Sequence, residues 1–124
     1  MVDRHRVVEW VVAYEHAWRA AGTSTLADVF ALDVTYTPSP WAEPLRGLPA
    51  LQRFWESERE GPDEPFRMTS ELVAVDGPIA VVRVEVHYGD AERWRDLWIV
   101  TLDADGRCRA FEEWPFAPGQ PDGH

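Results

Sequence analysis

The second half of the chain alternates apolar and polar residues with a period of two, and this alternation constrains the fold more than any other feature. Four segments carry the alternation: Phe66 to Val75, Ile79 to Tyr88, Glu92 to Leu102 and Arg107 to Phe116. Short turn sequences separate them, for example Asp76-Gly77-Pro78. Strands joined by short turns pair with their neighbours in sequence, so we expect an antiparallel meander.

The first half of the chain has helical spacing of apolar residues instead. Three helices are expected: one from Arg6 to Ala21, one from Leu26 to near Asp33, and one that begins at Gly47-Leu48-Pro49 and is ended by Gly61-Pro62. Between the second and third helices lie a β-branched segment, Val34 to Thr37, and an irregular Pro-rich loop, Ser39 to Gly47. Helices followed by a run of strands are typical of an α+β domain, in which the helices pack on one face of an antiparallel sheet.

The alternation also assigns each strand residue to a face of the sheet. Two sets are expected to face the helices: Val82, Val84, Val86 and Tyr88 in one strand, and Trp94, Asp96, Trp98, Val100 and Leu102 in the next. Leu97 and Ile99 fall on the opposite face. An apolar outer face needs a second covering layer, so we expect a homodimer that forms through this face of the sheet.

Length and composition limit the function classes. A chain of 124 residues forms one domain, expected at 1–117, with a flexible Pro- and Gly-containing tail at 118–124. The net charge of -10 disfavours nucleic acid and anionic membranes as partners. The absence of Lys excludes Schiff-base chemistry, and with the absence of Asn it indicates a GC-rich bacterial genome.

Cysteine usage and hydropathy point to a cellular compartment. The single cysteine, Cys108, cannot close a disulfide within the chain. The first residues do not have the pattern of a secretory signal, and no apolar run is long enough to span a bilayer. We therefore expect a cytoplasmic protein.

Several segments, taken in order and with their spacing, resemble a known superfamily. They are Ala17-Trp18-Arg19-Ala20-Ala21-Gly22, the stretch from Leu26 to Tyr36, Pro44-Leu45-Arg46-Gly47 ahead of Phe54-Trp55, and the stretch from Leu102 to Arg107. From about Val7 to Phe116 the chain resembles the nuclear transport factor 2-like superfamily, which includes SnoaL-like polyketide cyclases, ketosteroid isomerase and limonene epoxide hydrolase. The resemblance implies a cone-shaped fold with three helices on a strongly curved sheet and a blind apolar pocket between them.

The resemblance to ketosteroid isomerase reaches only one of its three catalytic positions. The tyrosine of that enzyme falls on Tyr14 here. Its general base falls near Pro38, where no carboxylate is present, and its oxyanion-binding acid falls on Trp98. Ketosteroid isomerase activity is therefore not expected, although a tyrosine donor in the pocket is.

The resemblance to limonene epoxide hydrolase points to a carboxyl group on the last strand. The acid of that enzyme precedes an aromatic residue, as Glu113 precedes Trp114, and its second acid is loosely matched by Asp96. Because Glu112 and Glu113 alternate, one of them must face inward; the resemblance favours Glu113, whereas the apolarity of the neighbouring residues favours Glu112. The prediction follows the resemblance.

Asp96, Glu113 and Tyr14 are the candidate catalytic residues. A carboxylate between Trp94 and Trp98 would have a raised pKa and could serve as a general acid or base. In the alternative, Asp96 is a structural residue satisfied by backbone amides or by an arginine, and Tyr14 only fills the core.

An aromatic pocket for a small apolar molecule is expected around these residues. The candidate ligand-binding residues are Trp18, Phe54, Trp55, Val82, Val84, Tyr88, Trp94 and Trp98. His and acidic residues do not occur at metal-ligand spacing, so no metal or other cofactor is expected. The first hypothesis is a cofactor-independent isomerase, cyclase or hydrolase that uses acid–base chemistry. The alternative is a non-catalytic protein of the same fold that binds a hydrophobic ligand or acts as a dimeric scaffold.

Overall fold

The computed structural model describes residues 3–58, 65–89 and 92–120. Its elements, in chain order, are α1 (Arg4–Arg19), α2 (Leu26–Val29), β1 (Phe30–Thr37), β2 (Leu45–Arg46), α3 (Leu48–Glu58), β3 (Arg67–Asp76), β4 (Ile79–Tyr88), β5 (Glu92–Leu102) and β6 (Cys108–Phe116). Asp3 caps the first helix by accepting a hydrogen bond from the backbone amide of Arg6 at 2.9 Å. Among the described residues, no helix is long and apolar enough to cross a membrane.

The strands form one curved sheet of six in the order β2-β1-β6-β5-β4-β3. The four long strands β3 to β6 pair antiparallel in sequence order, which confirms the predicted meander. The first strand then pairs with the last in the parallel direction, and β2 pairs antiparallel with β1 at the sheet edge. The sheet is therefore mixed, and the expectation of a purely antiparallel sheet was wrong in this respect.

The expected elements between Leu26 and Gly47 needed correction. The second helix ends at Val29 rather than near Asp33, because Phe30 and Val34 are fully buried as part of β1 and extended backbone continues to Thr37. The loop from Ser39 to Gly47 contains the short strand β2. The third helix lies between strands, so the helices do not all precede the sheet as expected.

Two predicted boundaries involve residues outside those described. Gly61-Pro62, predicted to end the third helix, lies in the 59–64 gap, and the helix is described to Glu58. Of the predicted tail 118–124, only residues 118–120 are described.

The core is dominated by aromatic side chains between the helices and the inner sheet face. Trp10, Tyr14, Phe30, Trp98 and Phe111 are all buried and contact one another at ring-centroid distances of 4.4 to 6.3 Å. Most of these pairs are tilted or edge-to-face, which aromatic quadrupoles favour. The burial pattern confirms the predicted inner faces of β4 and β5.

An extra residue in β6 decides which of its side chains face inward. Thr101 pairs with Ala110, but Leu102 pairs with Cys108, so Arg109 has no partner across the β5–β6 pair. This bulge changes the alternation: Cys108 is buried on one side of it, and Phe111 is buried on the other. Beyond the bulge, the inner face therefore continues through Phe111 and Glu113.

Candidate functional site

A cavity of about 540 Å³ opens between the helices and the inner face of the sheet. The residues that line it are Tyr14, Trp18, Tyr36, Pro38, Phe54, Trp55, Glu58, Phe66, Met68, Val86, Tyr88, Glu92, Trp94, Asp96, Trp98, Glu113 and Pro115. Nine of these 17 side chains are aromatic and four are acidic. Arginine and histidine are absent from the described residues of the lining. A volume of this size suits a small organic molecule.

The structure brings together most of the residues that the sequence analysis selected. Asp96, Glu113 and Tyr14 line the cavity, as do the aromatic candidates Trp18, Phe54, Trp55, Tyr88, Trp94 and Trp98. Val82 and Val84 do not line it. They lie on the predicted face, but each is 1% exposed within the core, and Val86 lines the cavity instead.

Glu113 rather than Glu112 faces the cavity. Glu113 is the Cα partner of Trp98, which lies on the inner face of β5. Glu112 is on the outer face, where its carboxylate accepts a hydrogen bond from the indole of Trp114. The apolarity that favoured Glu112 is misleading, because the bulge at Arg109 separates buried Cys108 from the alternation of the later residues.

Tyr36 is the most informative lining residue that the sequence analysis missed. It is 2% exposed, and its hydroxyl donates a hydrogen bond to Oε1 of Glu113 at 3.4 Å. Its alternation with buried Val34 in the β-branched segment was a usable signal. Glu58 was also missed, although it follows Trp55 and Phe54 at helical spacing on α3.

The two inward carboxyl groups face each other from neighbouring strands. Asp96 accepts a hydrogen bond from the indole nitrogen of Trp98 through Oδ2 at 3.3 Å. Its other oxygen, Oδ1, is buried and has no hydrogen-bond partner among the described residues. Asp96 is 7% exposed, the sole charged residue in the described core. A buried carboxyl oxygen without a donor is costly in a folded protein and is often retained for function.

Burial raises the pKa values of both carboxyl groups. Desolvation raises the pKa of Glu113 well above its ordinary value, and its hydrogen bond and charge interaction with Asp96 raise that pKa further. Desolvation also raises the pKa of Asp96, but hydrogen bonds from Glu113 and Trp98 oppose the increase. Both shifts favour the protonated form, and of the two groups Glu113 has the pKa that is raised further.

Tyrosine hydroxyl groups extend this pair toward α1. Burial raises the pKa of Tyr36 well above its ordinary value, while hydrogen bonds with Trp55 and Tyr14 oppose the increase. Burial is also the largest cause of the raised pKa of Tyr14. The nearby Tyr36 and Glu113 raise this pKa further. Both phenols stay protonated at neutral pH and can donate hydrogen bonds. A continuous polar row thus runs from Tyr14 through Tyr36 and Glu113 to Asp96.

Two further hydrogen bonds fix aromatic side chains around the cavity. The indole nitrogen of Trp18 donates to the hydroxyl of Tyr88 at 2.9 Å and so joins α1 to β4. The indole nitrogen of Trp94 donates to Oε1 of exposed Glu92 at 2.8 Å. In the described part of the chain, no group of three or more His, Cys, Asp or Glu residues is arranged to hold a metal ion.

Comparison with solved structures places the fold among known proteins. The chain aligns with an epoxide hydrolase/cyclase-like enzyme, SalBIII, of pyran ring formation in the polyether salinomycin, at a TM-score of 0.74 and 15% identity over 94% of this chain and 95% of that one. A Kribbella flavida protein provisionally named a ketosteroid isomerase aligns at a TM-score of 0.65 and 25% identity, over 93% of this chain and 77% of that one. A nuclear transport factor 2-like protein of unknown function from Burkholderia xenovorans aligns at a TM-score of 0.64 and 16% identity, over 95% of this chain and 91% of that one.

Comparison of the sequence with protein families gives a direct assignment. The sequence has no match among curated proteins. The family model of the SnoaL-like domain, however, matches residues 11–111, which include the second half of α1, most of the meander and most of the cavity lining. The chain shares its fold with a nuclear transport factor 2-like protein. By its sequence, the chain belongs to the SnoaL-like domain family.

Proposed function

We propose that this protein is a cofactor-independent enzyme, an isomerase, cyclase or hydrolase, that transforms an apolar small molecule by acid–base catalysis. The observation that carries the proposal is the pairing of Asp96 and Glu113 in an aromatic cavity. Two carboxyl groups that share a proton provide one acid and one base at the same pH, as acid–base catalysis requires.

Each member of the pair has a distinct role in the proposed reaction. Oδ1 of Asp96 has no donor among the described residues, so it can accept a proton from a substrate hydroxyl, a water molecule or an acidic C–H group. Glu113 then donates its proton to the oxygen of the substrate on which negative charge develops. After this step Asp96 is protonated and Glu113 is ionised, and a proton transfer from Asp96 to Glu113 restores the starting state.

The tyrosines would stabilise the charge that develops on the substrate. Tyr14 lines the cavity and remains protonated because burial raises its pKa. Tyr36 donates to Glu113 and stabilises the carboxylate that forms when Glu113 gives up its proton. Preorganised donors of this kind contribute about 3 to 4 kcal/mol each in well-characterised enzymes.

The surroundings of the carboxyl pair favour catalysis over a purely structural role. A structural Asp or Glu in this position would be expected to form an ion pair with an arginine. The arginine ion pairs of the described chain involve Glu15, Glu71 and Glu85, none of which lines the cavity. The inward carboxyl groups are thus available to a substrate.

The test is turnover of a panel of apolar hydroxy-epoxides, epoxides and β,γ-unsaturated cyclic ketones, with products identified by NMR and mass spectrometry. Asp96→Asn and Glu113→Gln should each lower kcat by a factor of about 100 to 10,000. Glu56→Gln, an exposed change on α3 outside the cavity lining, is the matched control. Unchanged turnover in both cavity variants would reject the proposal.

Native mass spectrometry of the protein purified from its own host separates an enzyme from a ligand carrier. A carrier would retain a bound molecule of a few hundred daltons that is recovered chemically unchanged. An enzyme given that molecule, or its precursor, would convert it. A bound mass that is never converted would favour the non-catalytic binding protein considered in the sequence analysis.

We also propose that the protein is a homodimer that forms through the outer face of the sheet. Leu97, Ile79, Trp114 and Phe116 are exposed by 37 to 42% on that side. Apolar side chains grouped on one face of a sheet support an association surface.

We also propose that the protein is bacterial and cytoplasmic. The thiol of Cys108 is buried and forms no disulfide, which is consistent with a reducing compartment.

A further inference from the structure

We infer that the ligand of this cavity is an organic cation, an amine carried as an ammonium group on an apolar skeleton. This inference deepens the proposed function by naming the substrate class for the same cavity. It depends on the aromatic composition of the walls, on the sign of the charges at the rim, and on the unpartnered oxygen of Asp96 that the acid–base proposal also uses.

The walls offer ring faces to a positive charge. Trp18 and Trp55 meet edge-to-face at a centroid distance of 4.7 Å on the helical side. Tyr88 and Trp94 line the sheet side of the same cavity. Several aromatic rings arranged around one space are the usual binding site for alkylated ammonium groups, since the negative ring faces attract the cation.

The charged side chains in the described lining of the cavity have one sign. Glu58 from α3 and Glu92 from β5 are exposed at the rim, and Asp96 lies inside. The lining contains no arginine or histidine among the described residues, so its net charge is negative even when Glu113 is protonated. An anionic ligand would be repelled here, whereas a cation would be attracted.

Asp96 supplies a third indication of a positively charged ligand. Its side chain is more than nine-tenths buried, it lines the cavity, and its Oδ1 has no partner among the described residues. A neutral apolar ligand would leave this oxygen desolvated and unpaired. A cation beside it would compensate the buried charge and could donate an N–H bond to it.

A nearby arginine shows how this part of the protein holds a cation. The guanidinium group of Arg19 lies 3.9 Å from the centroid of the Phe66 ring and pairs with Glu15 at 2.9 Å. Arg19 is not in the lining, and its charge is already compensated by Glu15. The cavity combines the same two components, aromatic rings and carboxylates, without a cation of its own among the described residues.

The test compares ligands of matched shape and different charge. Benzyltrimethylammonium, its neutral carbon isostere neopentylbenzene, and the anion phenylmethanesulfonate are titrated into the full chain, and binding is followed by tryptophan fluorescence and calorimetry. We expect the cation to bind about tenfold more tightly than the neutral isostere, and the anion to bind most weakly. Equal or tighter binding of neopentylbenzene would overturn the inference.

Variants separate binding in the cavity from general attraction to an acidic protein. Glu58→Gln and Glu92→Gln should each weaken binding of the cation by about two- to fivefold and leave binding of the neutral isostere unchanged. Glu56→Gln makes the same charge change on the same helix, outside the lining. An equal loss of cation affinity in Glu56→Gln would also overturn the inference.

The outcome is independent of catalysis, because binding is measured without turnover. Weak cation binding together with loss of turnover in Asp96→Asn would reject the cationic ligand and keep the acid–base proposal. Tight cation binding together with unaffected turnover in Asp96→Asn and Glu113→Gln would keep the cationic ligand and reject the acid–base proposal. Circular dichroism of each variant checks that the fold is retained.

Discussion

Asp96 and Glu113 lie diagonally opposite each other across the β5–β6 pair, since Asp96 is the Cα partner of Pro115 and Glu113 is the Cα partner of Trp98. Diagonal neighbours on one face of a sheet are close enough for long side chains to meet. The register of two ordinary antiparallel strands thus brings together two carboxyl groups that are 17 positions apart in the sequence. Their relative position is set by backbone pairing rather than by a flexible loop.

The buried carboxyl groups should make the stability depend on pH. The pKa of Glu113 is raised above its ordinary value of 4.5, and that of Asp96 is raised from 3.8. At pH values above these ordinary values and below the raised ones, the folded protein binds more protons than the unfolded chain, so the free energy of unfolding should fall as pH rises. Urea denaturation at a series of pH values measures this slope.

Replacing Glu113 should remove most of that dependence. In Glu113→Gln the side chain stays neutral, so the free energy of unfolding at neutral pH should rise by about 1 kcal/mol or more, and its decrease with pH should become shallower. The exposed control Glu56→Gln should keep the wild-type slope. An unchanged slope in Glu113→Gln would show that Glu113 is not the group that holds the proton.

Tyr36→Phe should move the pH at which Glu113 loses its proton. The hydroxyl of Tyr36 donates a hydrogen bond to Glu113 and lowers the pKa of that carboxyl group. Removing this donor should therefore raise the pKa of Glu113. The carboxyl carbon resonance of Glu113, followed by NMR from pH 4 to 10, measures the change. A shift to lower pH would contradict the hydrogen bond described for Tyr36.

Cys108 should be unreactive in the folded protein. Burial raises the pKa of this thiol to about 12, and its sulfur lies 3.1 Å from the carbonyl oxygen of Ala110. At pH 8 the thiolate fraction would then be about one part in 10,000. Ellman's reagent should leave native protein unmodified over an hour and label it fully in 6 M guanidinium chloride. Rapid labelling of the native protein would mean that this part of the core opens readily.

A charge on the outer sheet face should disrupt the proposed dimer. Leu97→Asp places a carboxylate among apolar neighbours such as Trp114, which is its Cα partner on β6. We expect sedimentation velocity to show a dimer for the wild-type protein and a monomer for the variant. Leu32→Asp, on a residue that is 76% exposed and lies on β1, two strands away from β5, is the control. A wild-type monomer at micromolar concentration would reject the dimer.

Local periodicity predicted much of the fold. The bounds of β4 and β5 match the predicted segments residue for residue, because each strand alternates regularly between a buried inner face and a more exposed outer face. The parallel β1–β6 pair was not predictable in this way. It joins residues about 75 positions apart in the sequence (Phe30 to Cys108 and Tyr36 to Phe111), and no local pattern records such a long-range pairing.

The candidate site was predictable where a side chain lay on a regular strand. Asp96 and Trp98 follow directly from the alternation of β5. Glu113 needed the family resemblance, because the bulge at Arg109 interrupts the alternation that would have assigned it. Tyr36 was missed because its segment, Val34 to Thr37, was not assigned a place in the sheet, whereas pairing with β6 places it beside Glu113.

The bulge at Arg109 also has a consequence for how this site can diverge among relatives. Loss of Arg109 would leave Glu113 opposite Trp98 and facing inward, because Cys108 and Ala110 already pair with the consecutive residues Leu102 and Thr101. Loss of the bulge without loss of a residue would instead shift the pairing of the later residues by one, turning Glu113 outward and Glu112 inward. A relative with one residue fewer at the bulge can therefore keep the same inward carboxyl group, whereas a relative of equal length without the bulge presents the other one.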